Sequence, residues 1–419
     1  MNEEAHMKFD LDNFNAPDLE AWRSKIKAET KAIDDLSYKN EVEGIEFDPT
    51  QKTLEYDFGV QEVSEPNDWG ISAYIPVLDE KIANSFALKC LSQGANVLYF
   101  NISSKSTDWS AIFKDIHIEY IHIIVAFEQE LELQNFIDFI PEGLIKNVSV
   151  SIDPLRPHNI KPILQAGLKL MVNGFHLEQI GANATDQMSA ILYYAESVID
   201  HIDPNNISFE IGIGSNFFVE IAKVRTLKWL WQHILIKNKK SLTKTNILGR
   251  MGWTNKSLSD PDTNILRQTT ESISAISGGV SSILIHSSHT YSLETYNWFY
   301  KRLAINISHI LKEESYLTKV NDPTRGAYLS EKMTFVMIQN CWSHFLMLID
   351  IEDDEAIIGK LKDSIEKTRK IKLEAYRKTE HELIGINLFK NNKEQKNTWS
   401  NIPNYLDFDY LIFEMEQDA

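Results

Sequence analysis

These 419 residues read as an α/β protein, a (β/α)8 TIM barrel with an N-terminal extension and a C-terminal helical extension. Three features point there. Between Trp69 and Ser288, short apolar runs alternate with longer runs whose apolar residues recur at helical spacing. Several of the short runs are apolar almost throughout, as parallel strands covered on both faces must be. About seven are visible and an eighth can be hidden in irregular sequence, which favours a closed barrel over a doubly wound sheet.

Taken in order, residues 1–60 form an arm. In PDLEAWRSKIKAETK, Pro17 and Asp18 occupy first-turn positions and Leu19, Trp22 and Ile26 share one face, which predicts a short amphipathic helix that needs a surface to bury against. The segment YKNEVEGIEFDPTQ then alternates around Ile45 and Phe47 like a strand. The barrel is expected over 61–345, with strands at 96–100, 120–127, 148–152, 168–176, 207–213, 246–252 and 280–286. Helices such as ATDQMSAILYYAESVIDHI lie between them, with Met188, Ile191, Leu192, Ala195 and Ile199 on one stripe. A barrel carries its functional groups just after the strands, where Asn101, Glu128, Asp153, His176, Asn216 and His286 stand. Beyond Glu331 the chain turns helical, and residues 346–419 are expected to form the C-terminal extension. There KMTFVMIQNCWSHFLMLID is apolar on several sides, and DDEAIIGKLKDSIEKTRKIKLEAYRKTEH is charged with a single apolar stripe.

Composition excludes several classes. The chain is 43% hydrophobic and 24% charged, ordinary globular material, and no apolar run nears the roughly 18 residues of a spanning helix. The formal charge of −18 argues against nucleic acid or an anionic membrane as the main partner, because phosphate binding needs clustered Lys and Arg. The acidic start MNEEAHMKFDLDNF resembles neither a secretory nor a transit peptide, so a cytoplasmic location is expected. Cys90 and Cys341 sit in helix-like runs without a C-x-x-C pair, which reads as buried thiols rather than a disulfide or zinc site. His286 and His289 form an H-x-x-H with no carboxylate at a known spacing, and no metal site is assigned. GIGSNF lacks the third glycine of a dinucleotide loop, because Phe217 stands there. Neither a phosphate-binding G-x-x-x-x-G-K-[ST] nor a G-x-S-x-G elbow occurs, and Glu313 and Glu314 beside Lys312 read as a solvated helix face.

Several motifs resemble those of the methylmalonyl-CoA mutase family, over most of the chain. Where that family carries S-G-Y-H-M-Q-E-A-G-A, this sequence has Asn173, Gly174, Phe175, His176, Leu177, Glu178, Gln179, Ile180, Gly181 and Ala182. The resemblance implies that the Tyr position lies near the migrating group and the His position bonds the thioester carbonyl. Phe175 lacks the hydroxyl, and losing a positioned donor removes a few kcal/mol of transition-state stabilisation, about the usual size for such groups. Gly212 to Trp231 follows the family's G-I-G-x-N-F-F-x-E-[IV]-A-K-x-R pattern, including Asn216, Glu220, Lys223 and Arg225. The Arg225 position implies a hold on acyl-CoA, while the residues alone equally allow a pair with Glu220 or Glu210. Catalytic chains resemble H-S-Q-T-S-G-W at the next strand end. NILGRMGW has neither that His nor that Gln, and Asn255, Lys256, Ser257, Asp260 and Pro261 match the N-K-[ST]-x-x-D-P form of the small subunits. Glu43, Gly44, Ile45 and Pro49 match an arm that in the family lies across the partner, and Ile384 to Asn391 resembles a closing strand.

The resemblance thus implies the small, non-catalytic subunit. No residue of this chain would be catalytic, and Phe175, His176, Asn216 and Arg225 would be vestigial substrate-pocket positions. The cobalamin-binding motif D-x-H-x-x-G does not occur in the sequence. Adenosylcobalamin would therefore sit in a partner large subunit within a heterodimer, with a homodimer as the assembly when the partner is absent. The alternative is a catalytic acyl-CoA mutase barrel whose cobalamin domain is a separate polypeptide.

Overall fold

A computed structural model describes residues 18–30, 37–48, 67–103, 106–127, 130–156, 159–257, 260–288, 297–389 and 404–417. Pro49, Glu128, His289, Asn391 and most of the 1–60 arm lie outside these residues. The strands are β1 (Tyr38–Asn40), β2 (Ile45–Phe47), β3 (Gly70–Val77), β4 (Val97–Ile102), β5 (His122–Phe127), β6 (Val148–Ile152), β7 (Lys169–Asn173), β8 (Ile207–Ile213), β9 (Asn246–Met251), β10 (Ser282–Leu284), β11 (Asn404–Tyr405) and β12 (Phe408–Asp409). β3 to β10 close into one barrel, each parallel to the next, with β10 returning to β3. The eighth strand missing from the sequence pattern is β3. Its run GISAYIPV contains Pro76, which lowers any strand assignment because proline cannot donate to a ladder.

Alternation along the strands sorts the core into two groups. Ile71, Ala73, Ile75, Leu98 and Phe100 pack outward under the helices, whereas Tyr74, Val97, Tyr99, Ile124, Met171, Leu248 and Leu284 cluster inside the barrel. β7 stops at Asn173, shorter than expected. Asn173 Oδ1 accepts from the Phe175 backbone N–H at 2.8 Å, so the chain turns at once into the helix Phe175–Gln179. Phe175 and His176 therefore sit on a helical turn above the strand, not on the strand itself.

The helix Phe217–Lys237 is capped by Asn216, whose Oδ1 accepts from the Val219 N–H at 3.3 Å, and it packs against Tyr328–Ile349. The charged helix Asp354–Arg377 buries a stripe of Ile357, Leu361, Ile365, Leu373 and Tyr376, as its sequence indicated. Ile384 to Phe389 is a turn closed by one Ile384–Leu388 bridge rather than a strand, with Gly385 at φ +81°. After it, the β11–β12 hairpin and the helix Leu411–Gln417 bury Tyr405, Tyr410, Leu411, Ile412, Phe413 and Met415. These share one core with Leu155, Leu177, Ile180 and Trp253, residues that follow strand ends, so the C-terminal segment covers the mouth of the barrel.

At the other end of the sequence, the β1–β2 hairpin docks on this chain's own barrel. Ile45 is buried, Asn340 and Asn183 donate to the carbonyls of Glu43 and Val42, and the Glu43 carboxylate accepts from the Ala184 N–H at 3.0 Å. The helix Leu19–Thr30 contrasts with it, since Trp22 on its apolar face is 40% exposed. Among the described residues, no helix is long and apolar enough to cross a membrane.

Candidate functional site

Two opposite charges stand inside strands that are otherwise apolar. Glu210 on β8 is fully buried and Arg250 on the neighbouring β9 nearly so, and Arg250 Nη1 reaches Glu210 Oε1 at 3.0 Å. The other carboxylate oxygen faces the hydroxyls of Tyr99 at 3.0 Å and Ser151 at 3.3 Å, and Asn173 Nδ2 donates to Ser151 at 3.1 Å. Arg250 Nε donates to His286 Nε2 at 3.1 Å, which fixes that nitrogen as an acceptor and the ring as neutral. Burial drives the His286 pKa well below its ordinary value, with Arg250 adding to the effect. The guanidinium lies 3.8 Å over the Phe175 ring and 4.8 Å from the centre of Tyr74.

Burial pulls both members of the Glu210–Arg250 pair toward neutrality. It raises the carboxyl against the pull of Arg250, whereas on Arg250 it is outweighed by Glu210 and the tyrosines, so the guanidinium is held above its ordinary value. The pair is ionised, because a guanidinium does not give up its proton in proteins and both carboxylate oxygens have donors.

The layer above is equally closed. His176 Nδ1 is 2.6 Å from the Tyr410 hydroxyl, and the Tyr405 ring tilts over the imidazole at 5.4 Å. Burial lowers the His176 pKa to about 3, with Arg250 and Arg156 contributing. Tyr405 donates to Asp153 at 2.7 Å, and Trp253 packs edge-on against His286 and Tyr410. A neutral, packed imidazole and a carboxylate saturated with donors are poor acid–base groups.

The expected site residues separate into three places. Phe175 and His176 meet at the filled barrel centre. Asn216 borders a cavity of about 230 Å³ beside the mouth, which Glu178 and Glu220 also line. Glu178 fits between β8 and β9 because a Cβ on Gly212 would stand 2.8 Å from the Cβ of Glu178, and one on Gly252 would strike its carboxylate. Arg225 lies farther along the Phe217–Lys237 helix, where it forks onto Glu331 at 2.8 and 2.9 Å, bonds Thr334 and pairs with Asp322 at 3.1 Å. Its partners are thus Glu331 and Asp322 rather than Glu220 or Glu210. The N-K-S segment is pinned by Lys256 Nζ on the Glu271 carboxylate at 2.7 and 2.8 Å, with Asn255 on the same group. Sequence reasoning missed the joint role of Glu210 and Arg250 and the part played by Tyr405 and Tyr410. A lone acid in ISFEIGI and a lone base in NILGRM were the available signal, since buried charges are almost always paired.

The geometry defines a (β/α)8 barrel with an occupied interior and a covered mouth. Residues 166–407 match the family described as methylmalonyl-CoA mutase, more than half of the sequence, and the chain belongs to that family. It is 27% identical over 390 residues to the methylmalonyl-CoA mutase small subunit of Porphyromonas gingivalis, a match that spans 79% of this chain and 62% of that one. The mitochondrial methylmalonyl-CoA mutase of Homo sapiens is 30% identical over 247 residues, 54% of this chain and 32% of the human one. The chain thus spans less than two thirds of these relatives' own lengths. A solved dihydropteroate synthase of Yersinia pestis aligns over 59% of this chain and 93% of its own at 11% identity and TM-score 0.40, too loose a match to bear on function.

Proposed function

We propose that this chain is the small, non-catalytic subunit of a methylmalonyl-CoA mutase. In this reading it is a cytoplasmic structural barrel that stabilises a heterodimer with a catalytic large subunit, which interconverts methylmalonyl-CoA and succinyl-CoA. The observation that carries the reading is the filled interior. Arg250 is stacked on Phe175 and tied to Glu210, under a roof of Tyr405, Tyr410 and Trp253, where an acyl-CoA would have to thread.

The residues of this chain do not fit cobalamin. The C-terminal segment occupies the barrel mouth, where Tyr405, Tyr410, Leu411 and Phe413 are buried with Leu177, Ile180 and Trp253. In this reading adenosylcobalamin is held by the large subunit. Phe175, His176, Asn216 and Arg225 keep the family's residue types or near relatives of them; Phe175 lies under Arg250, His176 meets Tyr410, Arg225 pairs with Glu331, and Asn216 caps its helix at the edge of the cavity beside the mouth. The experiment is native mass spectrometry of the tagged chain purified from its own host, with a mutase assay on the same sample. A heterodimer with a larger cobalamin-bearing chain, inactive once separated, supports the proposal. Activity restored by a small separate cobalamin-binding protein alone overturns it and makes this barrel the catalytic chain.

A further inference from the structure

The lower end of the barrel, opposite the covered mouth, carries polar side chains that the filled centre does not use. Inward residues from alternate strands of a barrel form successive layers across its axis. The strand registers place Gly70, His122, Lys169 and Asn246 in the lowest layer and Val97, Ser149, Ser208 and Ser282 in the next. Above these, Ile124, Met171 and Leu248 close the axis. His122, Lys169, Ser208, Asn246 and Ser282 point inward and are nevertheless only partly buried, so water reaches the second layer. The strand starts thus enclose a blind funnel with small hydroxyls in its wall.

The charge in this funnel has one sign. Ser149 is the register partner of Lys169, and its Oγ lies 3.0 Å from His122 Nε2, so the three side chains form one wall. Among the described residues the Lys169 ammonium meets no carboxylate or other acceptor, and burial lowers its pKa unopposed. Burial also takes His122 to about 4, with Lys169 adding to the effect, so the ring is neutral. With the Ser149 hydroxyl donating to Nε2, the ring proton sits on Nδ1. Glu210, the acid of the barrel interior, stands higher on the axis and is tied to Arg250. A partly desolvated ammonium without an acceptor lacks its counter-ion.

We propose that this funnel binds a small carboxylate, paired with Lys169 and hydrogen-bonded by His122, Asn246 and Ser282. One free ammonium balances one negative charge, whereas a phosphate dianion would leave a second charge without a partner. The closed axis restricts the ligand to a short acid, since Met171 and Leu248 leave no passage to the centre.

The test is an NMR titration of the full chain with isotope-labelled acetate at fixed ionic strength, against acetamide as the uncharged isostere. The expected result is saturable binding of one acetate per chain, about tenfold tighter than acetamide, the size that one charge-assisted hydrogen bond confers. Lys169→Met keeps the stem, removes the charge and should lose about the same tenfold. Asn246→Leu removes a donor without touching a charge and should weaken acetate several-fold. Circular dichroism confirms that each variant is folded, and if Lys169→Met is not, Asn246→Leu decides alone. No saturable binding, equal binding of acetate and acetamide, or acetate binding unchanged in the folded variants would overturn the proposal.

Discussion

Arg250→Met tests the filled centre. The substitution keeps most of the side-chain volume but removes the guanidinium that faces Glu210 Oε1, His286 Nε2 and the Phe175 ring. Glu210 would be left fully buried with only Tyr99 and Ser151 beside it. Removing one partner of a buried ion pair typically costs about 3–5 kcal/mol, and the lost cation–π contact adds roughly 1–2 kcal/mol when desolvated. The loss should depend on pH in a defined direction. In the variant the lowering pull of Arg250 is gone, and burial, opposed only by the Tyr99 and Ser151 hydrogen bonds, raises the folded pKa of Glu210 above the unfolded value of about 4.3. A carboxyl raised in the folded state stabilises below its unfolded pKa and loses that contribution as pH rises through the folded one. Denaturant unfolding should therefore show Arg250→Met several kcal/mol less stable than wild type at pH 8, with part of the deficit recovered at pH 5.5. The double variant Glu210→Leu/Arg250→Met should recover most of the stability at both pH values, because an apolar pair of similar volume replaces a buried ion pair at little or no loss. A single variant within about 1 kcal/mol of wild type at pH 8, or a double variant worse than the single, would refute the reasoning, since a load-carrying buried pair gives values near those above.

Other expectations follow from the same contacts. Phe175→Tyr should show no mutase turnover with adenosylcobalamin, because Arg250 stays over the ring and the Tyr410 roof stays in place; measurable turnover counts against the structural reading. Tyr410→Phe leaves His176 Nδ1 buried without its partner and should lower stability by about 1–3 kcal/mol in denaturant unfolding; no change would show that the contact does not hold the mouth. His176, with its pKa lowered to about 3, contributes stability that is present above its unfolded pKa near 6.5 and is lost as pH falls toward 3. His176→Phe should flatten that acid limb, and an unchanged limb would sink the assignment. Deleting residues 1–36 should weaken partner binding and spare the thermal midpoint, whereas deleting 1–48 also removes Ile45 and the Glu43 contacts and should lower it. Equal midpoints for both truncations, or unchanged partner affinity, would contradict this.

Much of the barrel was legible because parallel strands buried on both faces announce themselves as apolar runs, and β6 and β8 fall on the expected residues. β3 was not, since Pro76 interrupts the strand signal and only barrel closure calls for it. Phe175 and His176 stood out in the sequence only through the family motif they share. Their neighbour Arg250 lies 75 positions away in sequence, and contact between them arises only when β7 and β9 curl into one barrel. Arg225 shows the same limit, because Glu331 and Asp322 become its partners only once the Tyr328–Ile349 helix packs back on Phe217–Lys237. Tyr405 and Tyr410 had no local signature. Tyrosines in a short polar hairpin look like surface residues until the barrel mouth they cover is known.

The most direct measurement is equilibrium titration of the purified chain with methylmalonyl-CoA, followed by the intrinsic fluorescence of Trp253 at the mouth, with Trp253→Phe as the control for its signal. A barrel filled by Arg250 and roofed by Tyr410 predicts no saturable change at that tryptophan. Saturable binding that quenches Trp253 and competes with succinyl-CoA would mean that the interior opens to acyl-CoA, and would contradict the account.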